Sequence, residues 1–536
     1  MILKRLALLV LAFGVLLGTT ACTDVAVNPK SQASAEDVFA EDGSYKSYLA
    51  KLYGGLNVTG QQGPAGNGDL GQIDEGFSQY VRLWWQMQEL PTDGAVIAWN
   101  DGNVQELNTM TWSPSNGFSS AMYARIFFQV SQVNEFLRQS APARLDARNV
   151  DDAVRAQMPQ WRAEARFLRA LSYWHGVDLF GNIPVVTEDF PRGGTPPEQS
   201  TRQEVFNFVE QELRAITDGE GEEALPPIGE AEYGRADRGA ALMVLAKLYQ
   251  NAPVYVGQDR SADVVSVTAE IIDSGAYSLE EDYHDLFLAD NHTSDEIIFA
   301  IPQDGDRAQH FGGTTYLAHA SVGGAMDPGT FGLDAGWAGL RTTGATVDLY
   351  ASGDTRPAFE NTGSDAFFTD GQSLEISALT DFTNGYAVPK YQNVTSTGEP
   401  GKDLGFPDTD YPMFRLADAY LMHAEAVARG GGGSTERAVS LVNDLRERAY
   451  GDDSGAITAS ELTPEFILDE RARELLWEAT RRTDLIRYGR FTGGEFVWPW
   501  KGDIQEGTST SDHLALYPLP SSELLANPNL DQNPGY

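Results

Sequence analysis

A succession of long apolar stripes at helical spacing, separated by short turns, limits the fold of this chain more than any other feature. Residues 44–56 carry Tyr45, Tyr48, Leu49 and Leu52 on one face. Residues 119–137 carry Met122, Ile126, Val130, Val133 and Leu137, broadened by Phe127 and Phe128. The longest stripe, 154–179, sets Trp161, Ala165, Leu168 and Leu171 on one side with Phe167, Ala170 and Trp174 beside them. Further stripes over 202–216, 236–251, 262–274, 411–429, 435–450 and 463–488 predict more helices. Small residues (Gly239, Ala240, Ala241, Ala246; Ala417, Ala419, Ala424, Ala426) leave room for helix axes to approach closely. Paired helices joined by short turns bury both faces by stacking, as in tetratricopeptide solenoids, although no single repeat of fixed length overlays the chain.

Between the helical blocks the texture changes. Residues 63–116 and 301–410 are rich in Gly, Asn, Asp and Thr, lack long-period stripes, and contain turn signals such as Asn384-Gly385 and Asp370-Gly371. Long irregular segments inside a compact protein are usually disordered or functional. Their aromatic content (Trp84, Trp85, Trp99, Trp112, Tyr316, Phe331, Trp337) argues against disorder, so these loops are where a site is expected. The expected fold is therefore mostly α: a tetratricopeptide-like helical-hairpin superhelix with a long irregular, loop-rich lobe. Its scaffold would span 36–62, 117–300 and 411–536 of a single domain over 36–536, with ligand-binding segments at 63–116 and 301–410.

The N-terminus reads separately. Lys4 and Arg5 precede an almost unbroken apolar run, 6–17, and small residues lead to Cys22, the only cysteine. That is a secretory signal, too short for a comfortable membrane span. A small residue before a cysteine at the end of such a run resembles a bacterial lipoprotein signal, with Thr19 standing where the usual pattern has Leu. Residues 1–21 are then the signal peptide, Cys22 the lipidation site and 22–35 a tether. A lone cysteine forms no intrachain disulfide and no thiolate cluster.

Five phrases, in order, cover most of the remaining chain: EARFLRALSYWHGVDLFGNIPVVTE (164–188), GRADRGAALMVLAKLYQNA (234–252), YPMFRLADAYLMHAEA (411–426), ERARELLWEATRRTDLIRYGRF (470–491) and ALYPLPSSELLANPNLDQNPGY (515–536). Together they resemble the SusD/RagB family of outer-membrane glycan-binding lipoproteins. The resemblance implies a tetratricopeptide-like scaffold on the outer leaflet of a Gram-negative outer membrane. It also implies a cell-surface role: capturing oligosaccharides, without enzymatic activity, as a lid on a SusC-like TonB-dependent transporter. Within these phrases Phe167, Leu171, Trp174, Leu475, Trp477 and the 518–520 turn read as packing residues. Glu470, Arg471, Glu474 and Arg481 read as helix-surface ion pairs.

Sugars present flat patches of C–H groups and a rim of hydroxyls, so a site pairs exposed aromatic rings with polar side chains. Arg82, Trp99, Asn100 and Asp101 supply both kinds of group and resemble the family region that brings a Trp and an amide to the glycan. Tyr316 and Trp337 are the matching aromatic pair from the second irregular segment, whereas Trp84 and Trp85 read as buried. Other readings stay open. The same lid role could serve a peptide, and a surface glycoside hydrolase would need two carboxylates across one bond, a spacing some pair among 77 acids always meets. No HExxH, Walker lysine loop or GxSxG turn is present, and no metal-ligand cluster of His is apparent. No cofactor is expected. Asp304-Gly305-Asp306 and Asp408-Thr409-Asp410 are the candidate loops for a structural calcium, each with an incomplete ligand set.

Charge bears on partners and on conditions. With 38 Lys+Arg against 77 Asp+Glu the net charge is −39, which argues against nucleic acid and implies strong self-repulsion unless salt screens it. The expected outcome is a melting temperature that rises from very low to molar NaCl. A value that stays constant across that range would contradict the self-repulsion.

Overall fold

The computed structural model describes residues 35–536 apart from 40, 42, 61–62, 65–67, 72, 219–222, 359–366 and 368. The signal segment 1–21, Cys22 and residues 23–34 of the expected tether lie outside the described residues. No helix among the described residues is long and apolar enough to cross a membrane. Two compact units follow one another, Met1–Tyr45 and Lys46–Tyr536. In the first, the helix Ala35–Val38 is followed by Phe39, whose ring centroid lies 4.9 Å from that of Tyr45. The remaining description concerns the second.

The described residues are mostly helical. The principal helices are α1 (Gly43–Asn57, which begins in the first unit), α2 (Tyr80–Glu89), α3 (Gly117–Gln139), α4 (Asp152–Leu179), α5 (Arg202–Thr217), α6 (Arg238–Gln250) and α7 (Ser261–Asp273). They continue with α8 (Gly313–Ala320), α9 (Leu416–Ala428), α10 (Thr435–Tyr450), α11 (Pro464–Glu474) and α12 (Arg481–Arg487). The caps explain several boundaries. Asn116 accepts hydrogen bonds from the Phe118 and Ser119 amides at the start of α3, and Thr201 and Glu204 form a reciprocal capping box on α5. α10 ends at Gly451 in the left-handed region (φ 73°).

Each scaffold helix packs on the next: α3 on α4, α4 on α5, α5 on α6, α6 on α7. The chain then leaves the stack, and α7 packs directly on α9, which packs on α10 and α11. The small-residue faces lie where the helices meet. Ala240, Ala241 and Ala246 of α6 and Ala417, Ala419 and Ala424 of α9 are fully buried. A Cβ on Gly239 would fall 2.7 Å from the Tyr277 hydroxyl oxygen.

Three expectations need correction. Residues 411–415 do not open a helix. They form strand β4 (Tyr411–Arg415), antiparallel to β2 (Ile297–Ile301), and this short ladder returns the excursion to the stack. The stripe at 463–488 is broken between α11 and α12, where Trp477 (φ 60°) and Ala479 (φ 57°) turn left-handed. That conformation costs roughly 1–2 kcal/mol per residue. Tertiary bonds hold it: the Trp477 indole donates to the Gly94 carbonyl (2.9 Å), and the Trp477 carbonyl accepts from the Trp85 indole (2.9 Å). Third, the segment 63–116 holds α2, a helix buried along its whole length. Tyr80, Leu83, Trp84 and Met87 do stand at helical spacing, but over ten residues only, and the polar side is buried as well: Gln86 donates to Tyr316, Gln88 donates to Asp178 and Glu89 accepts from the Thr480 amide. Trp84 and Trp85 are buried, as expected.

The charged residues of the 470–491 phrase are not surface pairs either. Glu470, Arg471, Glu474 and Arg481 are all buried. Arg415, brought in by β4, contacts Glu296 (2.7 Å), Glu474 (2.8 Å) and Glu478 (2.7 Å). Arg448 joins Glu296 and Glu474, while Arg356 reaches Glu470 (2.8 Å), Glu474 (2.9 Å) and Asp354 (2.6 Å). A second group links Arg471 to Asp418 and Asp484, and Arg487 to Glu425 and Asp484. A helical pattern reports spacing on a surface and is blind to charges that face inward against other elements.

Burial alone would raise these carboxyls, but the facing guanidiniums outweigh it and hold Glu470 and Glu425 at about 2. A carboxyl depressed in the folded state contributes stability above its ordinary range and loses it as pH falls through the folded value. The urea midpoint is therefore expected to fall between about pH 4.5 and about pH 2 through these two groups. Replacing Arg415 with Met should leave Glu296, Glu474 and Glu478 each short of one buried cation, with only Arg448, Arg356 and Lys390 remaining among them, and cost about 3–5 kcal/mol in urea unfolding at neutral pH. A midpoint flat across the acid window, or a neutral Arg415→Met, would contradict the network's role.

Candidate functional site

Two short strands bring the key tryptophans together. β1 (Val96–Ile97) pairs antiparallel with β3 (Leu340–Arg341), with Val96 opposite Arg341 and Ile97 opposite Leu340. The ladder continues through the Ala98 amide, which donates to the Gly339 carbonyl at 2.8 Å. One step further, the register sets Trp99, just after β1, opposite Ala338, so that Trp99 and Trp337 meet diagonally. The Trp99 indole N–H donates to the Trp337 carbonyl (3.0 Å), and the two ring centroids stand 6.3 Å apart, tilted by 46°. Gly339 is needed for this seating, since a Cβ there would lie 2.6 Å from Trp99 Cζ2.

Trp337 is held from the other side. His319, near the end of α8, stacks on it at 4.5 Å with 17° between planes and donates from Nδ1 to the Ala335 carbonyl (2.7 Å). Burial lowers the His319 pKa, so the ring is neutral where it stacks. The Trp337 amide donates to the His319 carbonyl at 2.8 Å. Trp99 and Trp337 are both half-buried, and Asn100 and Asp101 are exposed beside Trp99. The row of half-buried rings continues through Phe311, 6.2 Å from Trp337, to Phe406, 5.4 Å from Phe311.

Arg82 and Tyr316 are near this ledge but beneath it, which corrects the expectation that both reach the surface. Tyr316 is fully buried, its ring centroid 5.8 Å from that of Trp99 and its hydroxyl accepting from Gln86 (3.3 Å). Burial, partly offset by Arg82, pushes its hydroxyl up to about 12. Arg82, only 3% exposed, packs its guanidinium 4.2 Å from the Tyr316 centroid and 4.5 Å from that of Phe77. It donates to the Phe311 carbonyl (2.9 Å), and its Nε is buried without a hydrogen-bond partner. Burial lowers its pKa to about 10 against the opposing pull of Tyr316, Asp74, Asp101 and Glu75, so it stays charged at neutral pH. A guanidinium between two aromatic faces is a cation–π brace of about 0.5–2 kcal/mol per ring. Here it positions the ledge.

Gln79 completes the frame. As N-cap of α2 it accepts from the Arg82 amide (2.7 Å) and, with the same oxygen, from the Gly313 amide that opens α8 (2.9 Å). Its amide nitrogen donates to the Leu56 and Asn57 carbonyls at the end of α1. Gly76 permits the close approach of Phe311, whose Cβ would stand 2.6 Å from a Cβ at 76. Phe77, Phe311, Phe406 and His319 were not foreseen. Each stands in an aperiodic stretch, and only their proximity in the fold marks them.

The two acidic loops also meet. The Lys402 ammonium stands between them, 3.0 Å from Asp304 and 3.2 Å from Asp408, and the Asp408 carboxylate takes the Gly305 amide. Among the described residues no group of three or more His, Cys, Asp or Glu could hold a metal ion.

If the seat on Gly339 sets the ledge, Gly339→Ala should displace the Trp99 indole. The expected result is a changed near-ultraviolet circular dichroism spectrum with an unchanged far-ultraviolet one. An unaltered near-ultraviolet spectrum would show that the contact is slack.

A sequence model of the SusD family matches residues 349–536. The starch-binding protein SusD of Bacteroides thetaiotaomicron is 33% identical, over 97% of this chain and 96% of that protein. SusD-like protein P2 of Formosa agariphila is 26% identical over 97% of this chain and 98% of its own length. Among solved structures, a SusD superfamily protein from Parabacteroides distasonis superposes with a TM-score of 0.70 at 22% identity, covering 92% of this chain and 99% of that one. Surface glycan-binding protein A from Bacteroides thetaiotaomicron, in complex with laminarihexaose, gives 0.67 at 21% identity over 92% and 99%. The relative that is one-third identical along almost its whole length, on a scaffold of the same fold, decides the matter: this chain belongs to the SusD family.

Proposed function

We propose that this protein binds oligosaccharides at a bacterial cell surface, laying the sugar chain along the half-exposed rings of Trp99 and Trp337. One observation carries the reading: the β1–β3 pairing brings both indoles together, tilted by 46° at 6.3 Å and each partly exposed, and the Trp99 N–H is already spent on a backbone carbonyl. Rings whose polar edges are satisfied inside the protein offer apolar faces outward, which suits the C–H patches of a pyranose. Asn100 and Asp101, exposed at the edge of Trp99, supply hydroxyl partners. Arg82 and Tyr316 act beneath as positioning residues. Two relatives support the ligand class, one named for binding starch and one solved with laminarihexaose; both are named as binding proteins.

On this reading Cys22 carries the lipid that holds the protein at the outer membrane, and the captured oligosaccharide passes to a SusC-like TonB-dependent transporter. No cofactor takes part. Lys402 serves as counter-ion to Asp304 and Asp408 of the two acidic loops.

Calorimetry with starch- and laminarin-derived oligosaccharides tests the site. Trp99→Ala should weaken binding at least about tenfold, roughly 1.4 kcal/mol, with helical content unchanged. An unaltered affinity removes Trp99 from the site, and a wild-type protein that binds no glycan overturns the reading.

A further inference from the structure

A second cleft, of about 360 Å³, opens between the C-terminal part of α1 and the loop at Tyr233, lined among others by Tyr53, Gly54, Asn57, Tyr233, Arg235 and Pro302. That volume is within the range of small-ligand pockets. It shares its frame with the ledge: the Asn57 carbonyl accepts from Gln79, and its side-chain oxygen lies 2.8 Å from Nε2 of His310, the residue before Phe311.

The lining is rigid because its polar tips are already engaged. The Tyr233 hydroxyl donates to the buried Asp410 carboxylate at 2.6 Å, and that carboxylate also takes the Gln303 amide (2.6 Å). Tyr233 nevertheless remains 44% exposed as a residue, with its ring clamped by the tip. The Tyr53 hydroxyl donates to Glu164 (2.7 Å) and accepts from the Ala236 amide (3.0 Å), and Arg235 pairs with the same Glu164. Side chains fixed in this way lose little freedom when a ligand arrives.

The helix itself carries a second, independent sign. α1 contains Gly54-Gly55, and glycine is a poor helix residue. Gly55 has a packing reason, since a Cβ there would meet the Gln129 side chain at 2.2 Å. Gly54 has none: the nearest atom to a Cβ is Val58 Cγ2 at 3.8 Å, and the space it leaves is part of the cleft.

We propose that this cleft is a second saccharide subsite, taking a terminal or internal pyranose of an uncharged oligosaccharide against the faces of Tyr233 and Tyr53. The sugar hydroxyls meet Lys46 and Glu232 at the rim. Lys46 is offset by Glu232, and Arg235 is already matched by Glu164, a balance that favours a neutral sugar over a uronate. The inference rests on the glycan-binding reading and extends it to a separate place on the chain, so that one polysaccharide is held at two points.

The test uses the full chain with maltohexaose and laminarihexaose, read by saturation-transfer NMR and calorimetry. Trp99→Ala/Trp337→Ala removes the ledge, and weak residual transfer from at least one hexasaccharide should remain. Adding Gly54→Leu, which fills the cleft, should abolish that remainder, as should Tyr233→Ala in its place. Gly54→Ala leaves the cleft open and should keep the remainder, with a melting temperature at or above the parent's. In otherwise wild-type protein, Gly54→Leu should change ledge affinity by less than about twofold. Loss of all binding in the double tryptophan variant, or residual binding that survives both Gly54→Leu and Tyr233→Ala, overturns the second subsite alone. Absence of binding by the wild-type protein to either sugar takes the glycan reading down with it. A remainder displaced by a neutral apolar peptide but not by sugar would reassign the cleft.

Discussion

Arg415 sits in the interior with Glu296, Glu474 and Glu478 around it, and most of the architecture is arranged so that this charge can be buried. An unpaired guanidinium in such a place would cost several kcal/mol in lost hydration, and its carboxylates would cost as much again. The charges are tolerable only together, with their geometry fixed. Glu296 comes from the approach to β2, Arg415 from β4, Glu474 from the end of α11 and Arg448 from α10, so the scaffold and the excursion are locked at one point. Pairing of this kind adds little net stability over an apolar core. It does penalise any arrangement in which one partner is absent, and so selects one packing among many.

The same interior explains the surface. Many of the chain's arginines are spent inward on carboxylates, so the exposed acids have few cations near them and the net charge of −39 is felt at the exterior. Against that background the rings of Trp99, Trp337, Phe311 and Phe406 form an apolar row with Asp101 at its edge. Arg82 is withdrawn beneath Phe77 and Tyr316, where it braces rings, and Arg341 of β3 is buried on the Gly339 carbonyl. The ledge depends on the scaffold through a short line of contacts. The break after α11 presents Trp477 to Trp85 of α2, α2 carries Arg82 and is capped by Gln79, and Gln79 binds the start of α8. α8 in turn carries Tyr316 and His319, which lie under Trp99 and Trp337.

Helices with one apolar face were legible in the sequence, because spacing records burial on one side only. The stripe at 435–450 coincides with α10, and those at 119–137 and 154–179 fall inside α3 and α4. Burial on every side did not by itself hide a helix, since α6 was legible over thirteen residues, but the ten-residue α2 was not. α2 carries Arg, Gln and Glu among its aromatics, bonded to partners distant in sequence, and its apolar period of Tyr80, Leu83, Trp84 and Met87 lasts only two turns. The break at Trp477 was hidden for the opposite reason: the helical pattern runs on through it, and only bonds from Gly94 and Trp85 make the left-handed turn worthwhile. In the site, aromatic content and family resemblance pointed to Trp99, Asn100, Asp101 and Trp337. They also pointed to Arg82 and Tyr316, but could not distinguish a ring that meets solvent from one that supports it.

The order of residues by itself determined a stack of paired helices, a family resemblance and a strongly acidic chain, and it set the expectation of an N-terminal export signal ending at the single cysteine. Periodicity, composition and motif order are local properties that survive without coordinates. The tertiary structure alone decided which aromatic faces are free and which charges are interior. Both depend on pairings across tens to hundreds of residues, such as Trp99 with Trp337 and Arg415 with Glu296, whose free energy exists only when the two ends meet.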